Sequence, residues 1–540
     1  MSIQPVKLNE ISDPPITKTT QSDGNEAFIQ VLPGPLVKVW GLTGPYDAKN
    51  REWEGTFYIR PQSETETFLK QNSKSFDIAL PPGDKPGVRP NGWDENVVPS
   101  NALCEDRRKI DMIPISRLQF LLEKSGAKDG SFWKEWYEAK NIASKHLKVT
   151  TGKGAVDGEV EVGSGSHELD KAGPDEGHLM FFSVFDGMGG TIVSDMISKT
   201  LHACVALTLA RLKQDITDNS IDVETLTKAL KDTYVALQAD FTEAAPAALR
   251  GLITRENSSP ILPGLNPSNF LFGATEGAGC TACSIIVDTQ LKKMYVAHVG
   301  DSRAVAGWWN KKEKKWRCDV LTEDQCGDNP KECARRLARH PPEEASKVIY
   351  DRGWGNRILG TNDVVRKFGG SYSVRPHEEE NEIWNAFQTK QAFNFFPKIT
   401  PPYTDTEPAV DIRDLSTVTE EELKFVTLAT DGIWERIASE EAVLLVAAYK
   451  HDPTQGEVSR MALAEKYPLM APGEDRKFPI QDLPGTGSRA EGSWTFEGDA
   501  DASTHLIRNV LGGSDKEWRR QVLSMRESAS RQMRDDLTAV

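Results

Sequence analysis

The chain has 540 residues, a formal net charge of −15 and 38 % hydrophobic residues, enough to bury a large core. The acidity argues against a nucleic-acid partner, and no run of about 20 apolar residues is present to span a membrane. Seven cysteines, few and odd in number, suit a reducing compartment rather than a disulfide framework.

In chain order, residues 1–25 are polar with scattered proline and are expected to be disordered or loosely attached. They carry neither the apolar run of a secretory signal nor the arginines of a transit peptide, which points to the cytoplasm. Residues 27–60 alternate apolar and polar positions through Phe28–Leu32 and Thr56–Ile59 and predict strands. A Pro- and Gly-rich loop over 80–100 leads to Asn101 and then Glu105-Asp106-Arg107-Arg108, which taken alone reads as a solvated charge cluster. A helical segment rich in Leu and Trp follows within 114–147, and residues 149–178 are Gly-rich and acidic, predicting a surface loop.

Phe181 to Phe185 is an apolar run of the kind that forms a strand covered on both faces. It stops at Asp186-Gly187-Met188-Gly189-Gly190. Glycines there allow a tight turn and close backbone approach. Asp186 reads equally as a helix cap and as an acid offered to a metal or phosphate. Helices are predicted at 191–214 and 222–243, then an inserted loop at 245–275. A β hairpin spans Thr281–Val287 and Lys293–His298, and Cys280 and Cys283 at the start of its apolar run read as buried cysteines rather than a zinc pair. The hairpin leads into Gly300-Asp301-Ser302-Arg303. A charged helix at 329–340 and an irregular stretch through Gly370 come next. The strand Phe425–Ala429 ends in Thr430-Asp431-Gly432, Ser439 opens a helix, and 467–500 reads as another insertion. Ala502–Leu511 is helical, and the sequence runs out through Asp535-Asp536-Leu537-Thr538.

Asp186, Asp301, Asp431 and Asp535 each adjoin an apolar strand, and with Glu105 and Asp106 they make six carboxylates. If the strands are neighbours, the acids meet at one sheet edge and repel unless cations neutralise them. Oxygen-only ligands select Mg²⁺ or Mn²⁺ over zinc. Two such ions about 4 Å apart activate a bridging water and clamp a phosphoryl group for in-line attack.

The ordered motifs resemble those of the metal-dependent serine/threonine phosphatases of the 2C (PPM) class. They are Glu105-Asp106, Phe185-Asp186-Gly187, Gly279-Cys280-Thr281, Gly300-Asp301-Ser302-Arg303, Thr430-Asp431-Gly432-Ile433-Trp434 and Asp535-Asp536-Leu537-Thr538. Thr322-Glu323-Asp324-Gln325, His340-Pro341, Thr400-Pro401-Pro402-Tyr403 and Thr504-His505-Leu506 give the chain a flavour similar to the pyruvate dehydrogenase phosphatase branch. That branch carries Asn, here Asn101, where many relatives carry a phosphate-binding Arg.

The resemblance implies an α+β fold, a four-layer α-β-β-α sandwich of two central antiparallel sheets flanked by helices. It implies one phosphatase domain over 26–540 with the three insertions, and serine/threonine dephosphorylation at a dinuclear Mg²⁺ or Mn²⁺ centre bridged by Asp186. The carbonyl of Gly187 with Glu105, Asp431 and Asp535 would complete the ligands, Asp301 would hold a third, weaker ion, and Asp106 would orient metal-bound water. It implies a monomer acting on a phosphoprotein, and mitochondria as the alternative location. Two departures stand out. Met188 occupies the position of a family His taken to protonate the leaving alkoxide, and a thioether donates no proton. Gly370, in Arg366-Lys367-Phe368-Gly369-Gly370, replaces a family Asp. They leave a metal-binding pseudophosphatase as the second reading.

Overall fold

The computed structural model describes residues 59–78, 90–100, 104–115, 177–213, 222–239, 277–351, 355–370, 373–376, 378–380, 400–416, 420–470, 493–525, 530 and 534–540. For 17–20, 26–31, 56–58, 214 and most of 240–253 it describes backbone alone. Asn101, the expected helix in 114–147 beyond Ile115, and nearly all of the 149–178 loop lie outside the described residues.

The strands that matter to the site are β1 (Lys74–Asp77), β2 (Gly92–Val98), β3 (Arg107–Pro114), β4 (His178–Phe185), β5 (Gly187–Met188), β6 (Gly279–Cys280), β7 (Ala282–Asp288), β8 (Lys293–Val299), β9 (Arg303–Asn310), β10 (Lys315–Val320), β11 (Phe368–Gly369), β12 (Ala409–Asp414), β13 (Glu421–Ala429) and β14 (Leu537–Ala539). One antiparallel sheet has the order β12-β8-β7-β4-β3, a second β10-β9-β13-β14-β2-β1, and a small third β11-β6-β5. The helices are α1 (Gln62–Lys70), α2 (Ile192–Gln214), α3 (Val223–Ile253), α4 (Pro330–Leu337), α5 (Asp431–Trp434), α6 (Ser439–His451), α7 (Ala502–Val510) and α8 (Lys516–Ser524).

Side-chain alternation along β4 explains the layers. Phe181 and Phe185 point to a core shared with Ile197, Leu201 and Leu209 of α2 and with Leu230 and Tyr234 of α3. Phe182 and Val184 point the other way, into a core shared with Ile285, Val296, Ala304 and Leu428 of both sheets. A third core joins the second sheet to α6, α7 and α8 through Leu445, Ile507 and Val522. The strand is apolar at nearly every position because both of its faces are covered. The result is the four-layer α-β-β-α sandwich expected from the sequence. Within α2, Ile192–Lys213 is long and apolar enough to cross a membrane by composition, yet most of it is buried inside the protein. It is a core helix packed on the first sheet.

Three sequence expectations need adjusting. Thr17–Thr20, in the segment expected to be loose, is a strand paired with Glu26–Val31; its run of threonines favours extended backbone. Helix α3 continues to Ile253, into the expected 245–275 loop and past Pro246, so proline punctuation misplaced that boundary. The end of the expected 467–500 insertion is integral, since Ser493–Phe496 pairs with Gly456–Ser459.

The segment after that last strand joins a buried ion network with α1 and α7. Arg508 on α7, fully buried, bonds both Asp499 oxygens at 2.7 and 2.6 Å and both Glu66 oxygens at 2.7 and 2.8 Å. Replacing Arg508→Ala leaves the Asp499 carboxylate, whose side chain is 0 % exposed, with Lys70 Nζ at 3.8 Å as its remaining cation. Breaking a buried ion pair by removing one partner costs about 3–5 kcal/mol, so the denaturant midpoint of R508A should fall, by an amount that the distant Lys70 reduces. A change below about 1 kcal/mol would show that the network relaxes into water.

Candidate metal centre

The acids stand where strands end. Asp186 follows β4, Asp301 follows β8 after Gly300, and Asp431 follows β13 after Thr430. Glu105 and Asp106 precede β3, whose Arg107 pairs with Phe185. Asp535 and Asp536 precede β14, whose Ala539 pairs with Ala429. Antiparallel pairing therefore brings every one of these ends to the same edge of the sandwich.

Asp186, Asp301 and Asp431 each offer a carboxylate oxygen within 4.8 Å of the others. Glycines let the backbone close around them. A Cβ on Gly187 would lie 2.5 Å from the Glu105 carbonyl oxygen. One on Gly432 would collide with the Asp536 carbonyl oxygen. These contacts place Glu105 beside Gly187, and Asp535 and Asp536 beside Gly432, although Glu105 and Asp535 stand outside the group of three. The Asp186 and Asp301 turns are tied through Thr281. Its N–H donates to the Asp186 carbonyl at 2.8 Å, and its hydroxyl lies 2.9 Å from that of Ser302. Gln325 completes the tie, accepting from the Gly300 N–H at 2.8 Å.

Asp106 is 4 % exposed, and one of its oxygens accepts from Thr430 Oγ1 at 2.8 Å and Thr538 Oγ1 at 2.7 Å. It therefore rivets the first sheet to the second at the acidic edge, a role that spacing alone did not show. Asp536 accepts from the N–H and hydroxyl of Ser100 at 2.5 and 2.8 Å and from the Glu105 N–H at 2.7 Å. The sequence marks Asp536 only as the second acid of a pair, so its part in holding Glu105 was not legible there.

Electrostatics follow the geometry. Burial, then the charges of Asp431, Asp106 and Asp301, hold the Asp186 carboxyl far above the usual carboxylate range. Burial and Asp431 do the same to Asp301. Burial and Asp536 push Asp106 up to about 8 against the pull of its two threonine hydroxyls. Such a cluster is stable as protonated acids or around cations, and an all-oxygen donor set fits Mg²⁺ or Mn²⁺. The residues present thus fit a divalent centre.

A pH dependence follows for the metal-free protein. An Asp106 proton kept to about pH 8 in the fold but lost near 3.9 in the unfolded chain stabilises fully below about 3.9 and is lost as pH rises through about 8. The melting temperature of metal-free protein should therefore fall between pH 5 and 8, by up to about 1.4 kcal/mol of stability per pH unit for one such group. Asp106→Asn should flatten the fall, and Mn²⁺ should shrink it. A flat profile without metal would contradict the buried cluster.

The departures Met188 and Gly370 prove to be neighbours. β6 lies between β5 and β11, so Gly279 pairs with both Met188 and Gly369. Met188 Cγ and Lys367 Cδ each come within 3.1 Å of where a Gly279 Cβ would sit. A Cβ on Gly370 would be 2.5 Å from Lys367 Nζ. Lys367 is 1 % exposed, donates to Asn362 Oδ1 at 2.8 Å, and is pulled down to about 8 by burial. The buried ammonium takes the space that an acid at position 370 would need. Cys280 and Cys283 are fully buried free thiols, as expected.

The family model for protein phosphatase 2C matches residues 156–467. The chain belongs to the protein phosphatase 2C family. Among curated relatives of this phosphatase 2C chain, the mitochondrial pyruvate dehydrogenase (acetyl-transferring) phosphatase 1 of Saccharomyces cerevisiae is 28 % identical over 67 % of this chain and 61 % of its own length. A protein phosphatase 2C homolog of Schizosaccharomyces pombe is 28 % identical over 67 % of this chain and 73 % of its own. The bovine mitochondrial pyruvate dehydrogenase phosphatase 1 is 30 % identical over 50 % of this chain and 48 % of its own. The chain thus spans between about half and three quarters of these relatives. The serine-threonine phosphatase 2C of Toxoplasma gondii, a solved structure, aligns over 86 % of this chain and 98 % of its own at 14 % identity and a TM-score of 0.38.

Proposed function

We propose that this phosphatase 2C chain is a Mg²⁺- or Mn²⁺-dependent phosphoprotein phosphatase acting on phosphoserine and phosphothreonine. The observation that carries the reading is the group of three carboxylates, Asp186, Asp301 and Asp431, within 4.8 Å of one another at the meeting edge of two sheets. Two divalent ions held there would supply an activated water and charge stabilisation for the phosphoryl group. Asp186 would bridge the ions, with Glu105, the Gly187 carbonyl, Asp431 and Asp535 completing the set and Asp301 serving a third, weaker site. Asp106, fixed by Thr430 and Thr538, would orient water at the centre, and Asn101 would face the substrate phosphate. The relatives' names favour phosphorylated pyruvate dehydrogenase as substrate and a mitochondrial location over a cytoplasmic one. The chain would act as a monomer.

The Met188–Lys367–Gly370 arrangement favours a second reading, a weakly active or inactive pseudophosphatase that binds metal and a phosphoprotein. Phosphate release from a phosphothreonine peptide and from an aryl phosphate, with and without Mn²⁺, separates the two. Mn²⁺-dependent release from both supports an enzyme, release from the aryl ester alone supports a crippled one, and no release from either overturns catalysis.

A further inference from the structure

The turn Cys104-Glu105-Asp106 is held from several sides. Asp536 takes the Glu105 N–H at 2.7 Å, and Ser194 of α2 donates to the Glu105 carbonyl at 2.6 Å. Arg107 does more. Its Nη1 donates to the Cys104 carbonyl at 2.6 Å and to the Asp106 carbonyl at 2.7 Å, bracketing Glu105. Its Nε donates to Asp195 Oδ1 at 2.6 Å, in the first turn of α2. Its backbone pairs with Phe185, the residue before Asp186. One guanidinium thus spans the turn carrying Glu105, the helix that follows the glycine loop, and the strand that delivers Asp186.

We propose that Arg107, anchored by Asp195, is a positioning residue of the metal centre: it fixes the Cys104–Asp106 turn so that Glu105 faces Asp186. The inference rests on the metal-centre reading above. A planar fork is needed, because one group must meet two carbonyls and a carboxylate in fixed directions, which a lysine ammonium does not do. The charge itself is secondary, since the Arg107 side chain is 29 % exposed and its field is screened.

The test is Mn²⁺ binding to the full chain, followed by the paramagnetic resonance of free Mn²⁺, for wild type, Arg107→Lys, Arg107→Met and Asp195→Ala. Losing an orienting partner of a metal ligand typically costs about 10–100-fold in affinity. Both Arg107 variants should weaken one of two ions by that factor and leave the other in place, with R107K no better than R107M. Asp195→Ala should weaken the same ion by less, and it serves if the Arg107 variants fail to fold. Global destabilisation would weaken both ions together and would overturn the proposal. So would R107K binding like wild type, which would leave Arg107 as a charge only. If wild type binds no Mn²⁺, the metal-centre reading falls and this proposal with it. If wild type and R107K bind two ions alike, only the role of Arg107 falls.

Discussion

Replacing Asp186→Ala is expected to abolish saturable Mn²⁺ binding while raising the stability of the metal-free protein near pH 8. The two effects have one cause. Asp186 is 8 % exposed and faces the charges of Asp431, Asp106 and Asp301. Removing it relieves the repulsion that a cation would otherwise compensate. A ligand bound at 100 times its dissociation constant stabilises by about 2.7 kcal/mol, so wild type should gain a clear rise in melting temperature on adding Mn²⁺. The variant should start higher and gain little. The expected loss of affinity exceeds the roughly 10–100-fold typical of an outer partner. Thermal scans of both proteins with and without Mn²⁺ decide the matter. A variant that keeps the metal-induced rise would place the ions elsewhere.

Met188→His should raise hydrolysis of a phosphothreonine peptide by up to about 10²–10⁴, the usual worth of a general acid, and hydrolysis of an aryl phosphate by much less. The aryl oxide leaves without a proton, whereas the alkoxide of threonine does not. The surroundings temper the gain. Lys367 Cδ and Met188 Cγ converge on Gly279, and the nearby buried ammonium disfavours an imidazolium. Removing the charge with Lys367→Met in the same protein should therefore enlarge the effect. Equal acceleration of both substrates, read from kcat on each, would contradict a missing general acid.

Much of this site was legible because Asp186, Asp301 and Asp431 follow apolar strands. Phe181–Phe185 and Phe425–Ala429 announce buried strands, and the residue after each is placed by the strand end. The hairpin 281–298 was legible for the same reason. What stayed hidden was long-range. Nothing in the spacing says that Asp106 meets Thr430 and Thr538, more than 300 positions away. Nor does it say that Asp536 and Arg107 grip the Glu105 turn, or that Met188, Lys367 and Gly370 share one neighbourhood. Those contacts arise from sheet pairing between segments that no local pattern connects. Local signals misled at α3, where Pro and Gly suggested a loop and the helix continued to Ile253.

The most direct measurement is anomalous diffraction from crystals soaked in Mn²⁺. The expected result is two peaks about 4 Å apart, one Asp186 oxygen near each, with Asp431 on one of them and a weaker third peak at Asp301. Peaks absent from the Asp186–Asp301–Asp431 group, at Mn²⁺ concentrations of several millimolar, would contradict a dinuclear centre in this chain.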